Sequence, residues 1–149
     1  MARYRHLGIA LLIVVAFSAT SYAQAGAAAA AAKASPALVG ELSKQMGATP
    51  EQSAGAAGAL FGVAKSRLKA DEFSQIAGAV PGMDSLLKAA PATSAVGLGG
   101  ATGLSGVTSA FTKLGLKPEM VSKAVPFLNS YVSKAAGPNV GSLLAGALK

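Results

Sequence analysis

The sequence predicts an all-α protein, a small bundle of about six or seven short helices arranged as two similar helical halves joined by a Gly-rich linker. Three observations predict it. Apolar side chains recur at helical spacing along most of the chain beyond the N-terminus. Helix stop and start residues, Gly followed by Pro or by a capping side chain, fall between those stretches. An internal register also makes the second half echo the first.

Residues 1–23 read as a secretory signal peptide: Arg3 and Arg5 form a basic start, Leu7 to Phe17 is an apolar run, and small residues follow. Ser21 and Ala23 fit the small pockets of a signal peptidase, with Ala23 and Ala25 as a second such pair, so cleavage is expected after Ala23 or after Ala25. A retained membrane anchor is the competing reading, but it needs roughly twenty apolar residues and the run supplies about half. The implied compartment is the periplasm or the extracellular space.

Residues 24–35 are almost all alanine around Lys33, with helix propensity but little to bury, and are expected to form an Ala-rich spacer. Half 1, residues 36–90, opens with Ser35 as cap and Pro36 in the first turn. Leu38, Leu42 and Met46 form its first apolar stripe, which Gly47 ends. Thr49, Pro50 and Gln52 make a Thr-x-x-Gln capping box for a second helix reaching about Lys69. Asp71 and Glu72 suit the positive end of a third, with Phe73, Ile76 and Val80 inward, before Pro81 and Gly82. A short fourth carries Met83, Leu86 and Leu87. Residues 91–106 hold Gly97, Gly99, Gly100, Gly103 and Gly106 and read as a flexible linker. Half 2, residues 107–149, is expected to contain a helix with Val107, Phe111 and Leu114 ending at Gly115. A second helix runs from Pro118 to about Ala136, bent by Pro126. A last one follows Gly137 and Pro138, capped by Asn139.

Gly47 and Gly115 define an offset of 115 − 47 = 68, which also pairs Pro50 with Pro118, Glu51 with Glu119 and Leu60 with Leu128. Ala77-Gly78-Ala79 meets Ala145-Gly146-Ala147 at the same offset, with Val80 opposite Leu148. A shared Gly-x-x-Pro-Glu at a helix junction points to duplication.

The chemistry-bearing side chains are few. There is no cysteine, and the single histidine, His6, lies in the signal segment, so neither a Ser-His or Cys-His pair nor a usual transition-metal ligand set can be assembled beyond it. The carboxylates Glu41, Glu51, Asp71, Glu72, Asp84 and Glu119 sit mostly where first turns are expected, which the helix dipole explains. No G-x-G-x-x-G, Gly-Lys-Ser/Thr or G-x-S-x-G is formed by the linker glycines. No catalytic, cofactor-binding or metal-ligating residue is therefore assigned, and the chain is not expected to be an enzyme.

Loss of Arg3 and Arg5 lowers the net charge from +7 to +5, carried by lysines scattered singly, so nucleic acid is not expected as a partner. Ala54, Gly58, Gly62 and Ser66 recur every fourth residue as a smooth ridge, a seat for another helix. With Lys65, Arg67 and Lys69 nearby, this suits a soluble bundle better than a membrane dimer.

Gly58-Ala59-Leu60-Phe61, Asp71-Glu72-Phe73-Ser74-Gln75-Ile76, Val80-Pro81-Gly82-Met83-Asp84, and Phe111-Thr112-Lys113-Leu114-Gly115-Leu116 leading into Pro118-Glu119-Met120-Val121 resemble a bacterial family of exported proteins labelled VcgC/VcgE, a domain of unknown function. The resemblance covers most of the chain after the signal, the Ala-rich stretch and the long Gly linker being departures from it. It implies a helical, non-catalytic module of the bacterial envelope or exterior and carries no established site residues.

Three function classes follow. The first is a non-catalytic interaction or structural module with a protein partner. The second is a carrier of an apolar ligand such as lipid, or a peripheral membrane-surface binder. Its two halves would open along the linker to present Phe61, Phe73, Phe111, Phe127 and Tyr131. The third is an enzyme built from two of the six carboxylates converging in a cleft.

Overall fold

A computed structural model of the chain describes residues 26–91 and 103–149; the expected signal segment and residues 92–102 of the expected linker lie outside the described residues. The described residues form eight α-helices and one 3-10 turn, with no strand among them. They are α1 (residues 26–34), α2 (Pro36–Met46), α3 (Pro50–Arg67), α4 (Ala70–Ala79), α5 (Met83–Ala89), α6 (Leu104–Lys113), α7 (Val121–Ala136) and α8 (Pro138–Ala147). The 3-10 turn Pro118–Met120 runs directly into α7, and α7 continues through Pro126. The fold is the all-α bundle the sequence predicts, with more helices than the six or seven expected.

Helix α3 is the axis of the bundle. Every residue from Ser53 to Ala64 is buried, the condition of a helix that is apolar all round. Helices α2, α4, α5, α6, α7 and α8 pack around it. Its small residues allow close approach: a Cβ added at Gly58 would lie 1.9 Å from the Leu86 carbonyl oxygen, so the α5 backbone rests on the glycine. A Cβ at Gly55 would meet the Leu114 side chain at 2.7 Å and the Ala89 carbonyl oxygen at 3.2 Å. The small-residue ridge is thus a seat inside the chain, filled by α5. Leu60 and Phe61, fully buried, supply the volume the alanines lack. The buried Ser53 hydroxyl is 3.0 Å from Ser43 Oγ, which lies 2.7 Å from the Val39 carbonyl oxygen. Ser43 can donate to the carbonyl while accepting from Ser53.

The punctuation mostly forms as expected. Gly47 and Gly115 take the left-handed conformation, φ 64° and 74°, after α2 and α6, where a side chain would be strained. At the α3 start the Gln52 amide donates to Thr49 Oγ1 (3.2 Å) and the Thr49 amide to Gln52 Oε1 (3.1 Å), a reciprocal capping box. Thr49→Ala removes one half of it and is expected to lower stability by ~1 kcal/mol in urea titration. Glu72 likewise accepts from the Lys69 amide (3.0 Å).

Four expectations are corrected. The Ala-rich stretch is not a spacer: residues 26–34 are helical, and Ala28 and Ala31 are buried in the same core as α2 and α3. Alanine loses no side-chain entropy in a helix, so a modest docking contact suffices to order it. Ser35 is the N-cap residue of α2, but its side chain makes no cap bond; the hydroxyl donates instead to the Pro81 carbonyl, tying the α1–α2 corner to the turn before α5. The expected linker is helical from Leu104, because Gly103 at φ 115° starts α6 three residues before Val107. Asn139 lies inside α8; Gly137 precedes it as the N-cap residue and Pro138, which has no amide to satisfy, takes the first turn.

The 68-residue register extends from letters to elements. α2 begins 68 residues before α6, α3 68 before the Pro118 turn, and α4 68 before α8, with α4 and α8 ending at the same offset. Buried positions recur too: Val39 and Val107, Ala56 and Ala124, Leu60 and Leu128, Ile76 and Leu144. The packing, however, crosses between these stretches. α2 lies on α7 and α6 on α3, while α4 leans on α7 and α8 touches α3. One hydrophobic core therefore spans residues from both expected halves.

Candidate functional site: the α2–α7 groove

Helix α7 carries its buried stripe, Val121, Ala124, Leu128 and Val132, toward the core. The adjoining face, Lys123, Phe127, Tyr131 and Lys134, follows the i, i+4, i+8, i+11 helical spacing and so forms one line along the helix. With Ser122, Pro126 and Ser130 it makes one wall of a groove of 670 Å³; Glu41 and Gln45 of α2, spaced i, i+4, make the other. The Phe127 and Tyr131 rings are 6.3 Å apart and tilted by 34°, within the range of favourable aromatic pairs. Both rings are half-buried and pack their inner edges on the core, leaving the remainder to the groove. Lys123, Lys134 and Glu41 are exposed. Pro126 has no amide to offer the Ser122 carbonyl one turn back, so a hydrogen bond of the α7 ladder is missing beside the groove.

This arrangement offers apolar ring surface, two cations, one carboxylate and hydroxyl and amide partners. Glu41 is the one carboxylate among the lining residues. The others stand elsewhere: Glu51 opens α3, Asp71 and Glu72 open α4, Asp84 opens α5 and Glu119 opens the 3-10 turn. Among the described residues no group of three or more His, Cys, Asp or Glu is placed to hold a metal ion.

Of the five aromatic side chains expected to face an apolar ligand, the fold brings together only Phe127 and Tyr131. Phe61 and Phe111 are fully buried in the common core, and Phe73 is half-buried against it. Presenting all five rings together would require the single core to part. The groove itself was not read from the sequence, because its lysines look scattered until Phe127 and Tyr131 are seen between them on one helix face. The repeat register held the signal: it places Phe127 and Tyr131 opposite Ala59 and Val63, large half-buried rings against smaller buried residues.

The profile of the VcgC/VcgE proteins, a family of unknown function, matches residues 12–149. The chain belongs to the VcgC/VcgE family. No curated protein and no solved structure matches it. The VcgC/VcgE match spans every described element from α1 to α8, including the groove, and the Ala-rich stretch and Gly-rich segment fall inside it. No helix of the described residues is long and apolar enough to cross a membrane.

Proposed function

We propose that the chain is a non-catalytic interaction module of the bacterial envelope or exterior, engaging a protein partner through the α2–α7 groove. The observation that carries this reading is the aromatic pair Phe127 and Tyr131, half-buried between the exposed Lys123 and Lys134 along one wall of the groove. Phenylalanine and tyrosine rings are enriched at the cores of binding surfaces, with charged groups more often at their rims. The placement of five carboxylates at helix starts, where free amides and the dipole account for them, supports a non-catalytic role. The basic start and apolar run of residues 1–17 support export.

Native mass spectrometry of the chain recovered from the exported fraction of a bacterium tests this. The expected result is a chain cleaved after Ala23 or Ala25 with a protein mass attached. A co-purifying lipid would overturn the reading in favour of the carrier, and an uncleaved cytosolic chain would overturn the compartment. The carrier reading rests on the same two rings, but Glu41, Gln45, Ser122 and Ser130 line the groove as well, and a hydrocarbon chain satisfies none of them.

A further inference from the structure

We propose that the α2–α7 groove is the seat of a short amphipathic helix, apolar in its middle and acidic at both ends, supplied by a partner protein; this rests on the interaction-module reading above. Shifted back by the 68-residue offset, the groove residues Lys123, Pro126, Phe127 and Tyr131 become Gly55, Gly58, Ala59 and Val63. The α5 backbone rests on Gly58, and Gly55 faces the Leu114 side chain and the Ala89 carbonyl at the end of α5. The helix pairing corresponds as well, since α2 lies on α7 as α6 lies on α3. The groove is therefore the counterpart, on α7, of a seat that the chain fills on α3 with its own helix. Among the described residues no helix fills it on α7, and it stands open.

The residue exchanges say what kind of helix fits. At Gly58 the α5 backbone comes into contact with α3; Pro126 and Lys123 exclude so close an approach, so an occupant must lie farther out. Phe127 and Tyr131 then reach the distance between, as knobs between its side chains, and call for leucine-like residues at helical spacing. Lys123 and Lys134 stand eleven positions apart, about 16 Å along a helix axis. An occupant of three turns with a carboxylate at each end meets both. The net positive charge of the chain, +5 without Arg3 and Arg5, favours the same sign of partner.

The molecule carries its own reporter. Tyr131 is the sole tyrosine after Tyr22 and the chain has no tryptophan, so the intrinsic emission of the chain from residue 24 on arises in the groove. The experiment titrates this chain with a stapled helical peptide of about fourteen residues, free of aromatics, with leucines along one face and glutamates at both ends. The comparison ligands are the same peptide with lysines at its ends and phosphatidylglycerol vesicles. The expected result is a saturable change in Tyr131 emission with the glutamate peptide. Binding should weaken by about tenfold or more in the Lys123→Glu/Lys134→Glu variant and in Phe127→Ala, and with the lysine peptide. Circular dichroism melting of each variant is the control for folding. No saturable response to the glutamate peptide, or equal binding of both peptides, would overturn the proposal, as would a response to vesicles alone. A protein partner found by native mass spectrometry together with a silent peptide titration rejects the helix and leaves the module reading standing. A lipid-bearing exported chain that still binds the glutamate peptide does the reverse.

Discussion

Phe61→Ala is expected to lower the unfolding free energy by about 3–5 kcal/mol. Phe61 is fully buried on α3, a helix whose other residues are largely alanine and glycine, too small to fill the cavity left behind. The core is thin, with aromatics at 5% of residues, so one ring is a large share of what holds α3 to its surroundings. Marginal stabilities of about 5–15 kcal/mol are usual for domains, and the variant should show a strongly reduced urea midpoint or partial unfolding at room temperature. Phe127→Ala is the contrasting case. Its ring is half-exposed to the groove, and truncation should cost well under half as much, about 1 kcal/mol. Equal losses at the two positions would contradict the division into core and groove.

The second large effect is expected at Gly58. Gly58→Val places a branched side chain where even a Cβ would lie 1.9 Å from the Leu86 carbonyl oxygen. Backbone cannot be displaced as a flexible side chain can, so α5 must lift off α3, exposing Leu86 and the helix it covers. The cost is at the upper end of overpacking, about 3 kcal/mol or more, and amide exchange should quicken across residues 83–89 before it does in α7. Gly40→Ala makes the sign of the effect testable. Gly40 lies inside α2 with no atom within 4 Å of an added Cβ, so removing the glycine gains up to about 1 kcal/mol of helix propensity. A Gly58→Val protein as stable as the parent would mean that α5 is not seated on α3.

Much of the fold was legible because its local signals agree with one another. Thr49, Pro50 and Gln52 mark the start of α3 by side-chain and backbone chemistry that needs no tertiary context, and Gly47 marks the end of α2 in the same way. What local chemistry does not encode is which elements meet. Ala28 and Ala31 look identical to solvent-exposed alanines in a spacer, and only the docking of α1 makes them core. The hydroxyl of Ser35 has the same local option as any N-cap, yet finds the Pro81 carbonyl, 46 positions away. The groove was hidden for a related reason. Lys123 and Lys134 gain meaning from Glu41 and Gln45, which another helix brings opposite them.

The crossed packing of α2 on α7 and α6 on α3 bears on how the chain must be made. The N-terminal stretch leaves the ribosome first, with the apolar flank of α3 awaiting helices that have not yet been synthesised. It cannot finish folding until α6, α7 and α8 arrive. Severing the chain between Pro91 and Gly103 should accordingly give two fragments that are each unfolded alone and regain helicity when mixed, as complementing pieces of one cooperative unit do. Between translation and completion, the half-made protein is a natural client for a holding chaperone.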